Sequence, residues 1–186
     1  MIKFKLLLVI TLALLSCGCK EKLQENIDPN LKVVIIRHAE KPENGDNLSC
    51  QGQNRALALA NVLQQKIGIP DYIYVPSLNL DIATKHSRMF QTVTPFAVKY
   101  NLPINSKFDE KDIVKVAKNV LDKSGIVLLV WDHSAIPKLA MQLGIKHAET
   151  WEDHDFDSIW LISYKTGKAK LSIGKEGLSP SPRCNF

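Results

Sequence analysis

No apolar run in this chain is long enough to cross a bilayer comfortably. The longest spans residues 6–15, and a membrane helix needs about 20 apolar residues. There is no internal repeat and no low-complexity tract, which sets aside solenoids and fibrous arrays. No CxxC pair or His-rich spacing is present. His86, His147 and His154 do not fall at metal-ligand spacing, and no carboxylate cluster accompanies them, so the pattern implies no metal and no cofactor. Lysines and acids are interspersed without a basic stripe or aromatic interleaving, so nucleic acid is not an expected partner. Only four cysteines occur, and two of them, Cys17 and Cys19, lie in the leading segment.

What is present is an ordinary globular balance, 45% apolar and 23% charged over 186 residues, enough for one domain with a sizeable core. The leading segment stands apart. Lys3 and Lys5 precede the apolar stretch, and small residues follow, as in an export signal over residues 1–16. Leu14-Leu15-Ser16-Cys17 resembles a bacterial lipobox, with Cys17 as the lipidated residue. Cys19 is the poorer match because no aliphatic residue stands three places before it. Residues 17–30 then form a lipidated N-terminus and polar tether, and residues 31–186 form the domain. Removal of Lys3 and Lys5 with the signal takes the formal charge from +5 to +3. The expected location is the cell envelope, on a membrane through a lipid anchor. Cys50 and Cys184 remain in an exported domain and are able to pair, but sequence does not supply the distance between them.

Along the domain, residues 31–36 read as a buried strand, being short, β-branched and nearly uncharged. A polar loop over 42–49 leads to Ser49, a plausible N-cap for a helix over 51–67 that ends at Gly68. A short strand over 72–75 and a loop over 76–85 precede a helix over 87–100, in which Pro95 is a candidate kink or early end. A minor strand over 102–104, a helix over 109–123, a strong strand over 126–131 and a helix over 134–143 follow. Residues 157–164 and 169–173 form a hairpin across Thr166-Gly167. Strands and helices alternate and two strands finish, so the class is α/β with a mostly parallel sheet and an antiparallel edge.

Three motifs carry chemistry. Arg37-His38-Ala39-Glu40 ends the first strand, where open α/β sheets place ligands. Ser87-Arg88-Met89-Phe90-Gln91-Thr92 opens a helix, and Val130-Trp131-Asp132-His133-Ser134 ends the strongest strand. Imidazole is a nucleophile, and guanidinium is a planar fork suited to phosphoryl oxygens. The three motifs, in this order, resemble the histidine phosphatase superfamily, also called the phosphoglycerate mutase-like family, over residues 32–173.

The resemblance implies a three-layer α/β/α sandwich. It implies a metal-independent phosphatase acting on a phosphate monoester of a small molecule through a phosphohistidine on His38. His133 acts as the second catalytic histidine, and Arg37 and Arg88 bind the phosphate. Asn44 or Asn47 is a possible neighbour of the pocket, while Ser49, Gln51 and Gly52 match the family in positions that set loop geometry. The proton donor is open among Glu40, Asp109, Glu110 and Asp132, since larger members of the family place a glutamate in an insert that is short here. The stretch containing His147, Trp151, Glu152, His154 and Asp155 either rims the pocket or is a surface loop with Trp151 packed inward; the second is the plainer expectation. The alternative function is a catalytically inactive lipoprotein that binds phosphate or a sugar phosphate. A phosphoglycerate mutase is a third, which would require a sealed pocket and longer inserts.

Overall fold

A computed structural model describes residues 27–78, 86–184 and 186. The expected signal, Cys17, Cys19 and most of the tether lie outside the described residues, as does part of the loop expected over 76–85.

The elements are β1 Lys32–Arg37, α1 Cys50–Ile67, β2 Tyr72–Tyr74, α2 Ser87–Tyr100, β3 Ile104–Asn105, α3 Ile113–Leu121, β4 Ile126–Trp131, α4 Ile136–Gln142, β5 Ser158–Ser163 and β6 Lys170–Lys175. They build one six-stranded sheet in the order β3-β2-β4-β1-β5-β6. β1 runs parallel to β4, with Lys32 opposite Ile126 and Arg37 opposite Trp131. β5 runs antiparallel to β1, and β6 antiparallel to β5. The antiparallel edge expected from the sequence is therefore the β5–β6 hairpin.

Alternation along the strands divides the core in two, because successive side chains leave a strand on opposite faces. Val33 and Ile35 of β1, Leu129 and Trp131 of β4 and Trp160 of β5 pack under α3 and α4, with Val116, Val120, Leu139 and Ala140. Val34 and Ile36, with Leu128 and Val130, pack under α1 and α2, against Leu59, Leu63, Val93 and Phe96. Helices on both faces of the sheet make the three-layer sandwich. β1 and β4 are apolar on both sides because both faces are covered.

Four local details refine the sequence reading. Ser49 caps α1 as expected, its hydroxyl accepting the Gly52 N–H at 3.1 Å. Pro95 neither ends nor shortens α2, which continues to Tyr100. α3 begins at Ile113 rather than at residue 109: the N–H of Asp112 donates to the Asp109 carbonyl and that of Lys111 to Asp109 Oδ1, making a turn before the helix. α4 begins at Ile136 rather than at residue 134, because the Asp132 carboxylate takes both the N–H and the hydroxyl of Ser134 and holds that segment in an Asx-type turn.

Cys50 and Cys184 form a disulfide, with their Cα atoms 4.8 Å apart. It fastens the C-terminal tail to the first turn of α1. Asn54 reinforces the attachment by donating to the carbonyls of Ser181 and Arg183.

Candidate active site

The parallel register of β1 and β4 brings two of the three motifs side by side. Arg37 and Trp131 end the paired strands, and the next N–H, that of His38, donates to the Trp131 carbonyl at 3.1 Å. His38 is 2% exposed. Its Nδ1 lies 2.7 Å from the carbonyl oxygen of Ala39. A carbonyl only accepts, so Nδ1 carries the proton. In the neutral ring, Nε2 is then left with its lone pair. Asp132 Oδ2 is 3.6 Å from that Nε2.

On a continuing strand Asp132 and His133 would face opposite ways, because successive side chains alternate. The structure resolves this because β4 ends at Trp131, and the backbone turns before Asp132. Burial pushes the Asp132 carboxyl upward. The His38 ring close by, hydrogen bonds from the Ser134 hydroxyl and N–H, and the charge of His133 overcome burial and hold it well below the usual aspartate range. It is thus a carboxylate at neutral pH.

His133 stands beside it. Its Nδ1 approaches Asp132 Oδ1 at 3.4 Å without hydrogen-bond geometry, and its Nε2 meets Asp153 Oδ1 at 3.0 Å.

Arg37 is 4% exposed and reaches into the segment before β5. One terminal nitrogen donates to the carbonyls of Asp153 at 2.6 Å, Asp155 at 3.3 Å and Glu152 at 3.4 Å, and the guanidinium lies 3.9 Å from the centre of the Phe156 ring. That segment is itself well braced. Asp155 takes the N–H groups of Asp157 and Ser158, each at 2.9 Å, and the Ser158 hydroxyl, while Trp151 Nε1 donates to the Asp155 carbonyl. Arg37 Nε is buried and has no hydrogen-bond partner among the described residues, as is His133 Nδ1. An unpaired buried guanidinium N–H is costly unless an acceptor meets it. A cavity of about 410 Å³ opens here, lined by Arg37, Lys41, Glu43, His133, His154 and Phe156 among others.

Arg88 is placed differently. It lies in the first turn of α2. Its Nε donates to the Asn47 carbonyl at 3.3 Å, one terminal nitrogen donates to the Gly45 carbonyl at 2.5 Å, and the Asp46 carboxylate is 3.9 Å away. The 45–47 loop thus holds the guanidinium, and Arg88 does not line the cavity that Arg37 and His133 share. Asn47 meets the motif through Gln91, whose Nε2 donates to Asn47 Oδ1 at 2.7 Å. Thr92 joins this helix to the end of β1: its hydroxyl oxygen accepts the Ala39 N–H at 2.9 Å, and the same hydroxyl donates to the Arg88 carbonyl at 2.7 Å.

The open set of acids sorts by partner. Glu40 gives both carboxylate oxygens to Arg55, at 2.8–3.0 Å, and Arg55 also holds Glu176 at 2.6 Å; Glu40 is a structural acid. Asp109 shapes the turn before α3. Glu110 Oε2 is 2.8 Å from His86 Nε2, and its carbonyl accepts from Trp131 Nε1, which sets it over the end of β4.

The 147–155 stretch divides. Trp151 is 3% exposed and packs inward, His154 rims the cavity, and His147 is at the far edge of the sheet. Sequence reasoning missed Asp153, Phe156 and Arg55. Asp153 and Phe156 lie in a loop without periodicity, and Arg55 sits in a helix where an arginine is expected on the surface.

No family model matches the chain, and no curated protein matches it in sequence. Solved structures do match in three dimensions. The protein histidine phosphatase SixA, complexed with tungstate, is 17% identical, with a TM-score of 0.57 over 78% of this chain and 97% of that one. A mycobacterial glucosyl-3-phosphoglycerate phosphatase with inorganic phosphate is 15% identical, with a TM-score of 0.56 over 80% and 99%. A phosphoglycerate mutase from Plasmodium falciparum is 13% identical, with a TM-score of 0.50 over 76% and 88%. The chain shares the fold of these solved structures, the phosphoglycerate mutase-like sandwich.

Proposed function

We propose that the protein is a metal-independent phosphatase that hydrolyses a phosphate monoester of a small molecule through a phosphohistidine on His38. The observation that carries this reading is the tautomer of His38. With Nδ1 donating to the Ala39 carbonyl, Nε2 is the free nucleophile, next along the chain to the buried Arg37.

In the first step Nε2 attacks phosphorus, an N–P bond forms, and the P–O bond to the leaving group breaks with its electron pair on oxygen. Arg37 Nε and His133 donate to the non-bridging oxygens as charge develops there, and Arg88 adds positive potential from α2. Asp132, an anion beside Nε2, stabilises positive charge on the ring during transfer. The departing oxygen needs a proton. Glu110 is the acid we assign, because it stands over the end of β4 with His86 as a proton-sharing partner, whereas Glu40 is locked on Arg55 and Asp132 is ionised. In the second step water gives a proton to the Glu110 carboxylate and attacks phosphorus; an O–P bond forms, the N–P bond breaks with its electron pair on Nε2, and inorganic phosphate leaves.

The domain boundaries and the envelope location belong to the same proposal. A signal over residues 1–16, lipidation at Cys17 and a tether to residue 30 are supported by the residue pattern. A disulfide between Cys50 and Cys184 suits an oxidising compartment.

Turnover of p-nitrophenyl phosphate in excess chelator tests the activity. The account expects turnover that survives chelation and disappears in His38→Ala. Phosphate binding with no turnover of this ester or of a panel of phosphorylated metabolites would instead identify an inactive binding lipoprotein.

A further inference from the structure

The edge of the sheet opposite the candidate site has a character of its own. β1, β2 and β4 begin there, β5 ends there and β6 begins there, as the pairs Lys32–Ile126, Tyr72–Val127, Lys32–Ser163 and Ser163–Lys170 establish. A concave surface of about 770 Å³ lies at this edge between the turn after α4 and the start of β6. Lys146, His147, Lys168 and Lys170 line it, all four exposed, and no acid does. Lys32 and Lys165, also exposed, extend the positive edge. The acids of this edge, Asp28, Asp71, Asp122 and Glu149, stand outside the concavity, and Asp71 is occupied by the N–H of Ile126.

The chain enters the domain at this same place. β1 begins there at Lys32, the Leu31 N–H donates to the Asp28 carbonyl just before it, and Ile27 packs against the core cluster to which Ala169 and Leu171 of the concavity also belong. Nine residues, ten Cα–Cα steps, separate Cys17 from Ile27. Even fully extended, they reach no more than about 35 Å.

We propose that this edge is a docking surface for anionic phospholipid headgroups, which turns the candidate active site away from the bilayer. The inference rests on the reading of Cys17 as the anchor. A short tether attached at the basic edge keeps that edge within reach of the bilayer surface, at a high effective concentration. Clustered ammonium groups are drawn to the negative surface potential of anionic lipid over about one Debye length. His38 lies one strand length away, roughly 20 Å for the six residues of β1, and so faces the soluble phase. The orientation leaves the cavity beside Arg37 and His133 open to a dissolved phosphate ester.

The test uses the full lipid-modified protein on phosphatidylcholine vesicles with or without phosphatidylglycerol. Lysine reactivity toward an acylating reagent is read residue by residue by mass spectrometry. On anionic vesicles in low salt, Lys146, Lys168 and Lys170 should react at least about fivefold more slowly than on neutral vesicles. High salt should erase the difference, and Lys41, at the other end of the molecule, should not change. Lys168→Glu with Lys170→Glu should abolish protection of Lys146 while leaving p-nitrophenyl phosphate turnover intact. Equal reactivity on the two vesicle types overturns the proposal, as does equal protection by inorganic phosphate without vesicles. Flotation separates the anchor from the patch. A protein that leaves both vesicle types in high salt has no anchor. If it still floats with anionic vesicles alone in low salt, the patch stands, and if it floats with neither, the patch falls too.

Discussion

A Cβ placed on Gly52 would lie 2.2 Å from the carbonyl oxygen of Glu40 and 2.9 Å from its nitrogen. The first turn of α1 is therefore pressed directly against the backbone two residues past His38. No side chain fits between them, and backbone atoms cannot swing aside as a flexible side chain does. Gly52→Ala should destabilise the fold by about 1–3 kcal/mol. In whatever protein still folds, it should also lower kcat, because residues 38–40 must move to make room. Denaturant melting and steady-state kinetics on the same preparation check both parts; a variant with native stability and kcat contradicts the close approach.

Arg88→Lys should be far from conservative. Lysine keeps the charge but loses the planar fork that reaches Gly45 and Asn47. We expect a drop of about tenfold in kcat/KM, because without the fork the remaining cation is no longer held in place at the start of α2. Near-normal kcat/KM would show that Arg88 serves only to fasten the 45–47 loop.

Glu176 makes stability depend on pH. It is 4% exposed, and burial raises its carboxyl to about 7, against the pull of Arg55 and with a further push from Asp157 and Glu40. The folded form therefore holds a proton that the unfolded chain releases near about pH 4.3. Where the native state binds more protons, stability falls as pH rises. The contribution is full below about pH 4.3 and declines through the window up to pH 7. Glu176→Gln should flatten that decline in melting curves taken across the window, and an unchanged slope would contradict it.

Much of the fold was legible because the core strands are short, β-branched and capped by turn signals. β1, β4, α1 and α2 fall within a residue or two of where periodicity places them. The starts of α3 and α4 were not legible, because Asp109 and Asp132 bind the following N–H groups and delay the helix, an outcome of local hydrogen bonding that hydrophobic spacing does not report. At the site, Arg37 and His133 line one cavity, and His38, which does not line it, approaches Asp132 as His133 does. Arg88 stands apart from them on the 45–47 loop. The bracing of Arg37 by the 152–156 segment was hidden because it runs through backbone carbonyls, which leave no trace in residue identity. The link from Thr92 to Ala39 joins residues 53 apart, so the motif named the residue but not its partner.

Glu110→Gln should discriminate between leaving groups. A general acid matters most when the departing oxygen is strongly basic. The variant should lose about 10²–10⁴-fold in kcat on alkyl phosphates and little on p-nitrophenyl phosphate. Equal losses on both would remove Glu110 from the proton-donor role.

The account stands most directly on the covalent intermediate. Rapid quench of the wild-type protein with a radioactive phosphodonor, followed by peptide mapping, should place an acid-labile, base-stable phosphoryl group on His38, absent from His38→Ala and from His38→Asn. Turnover at a normal rate in either variant, or a label that survives acid, would contradict it.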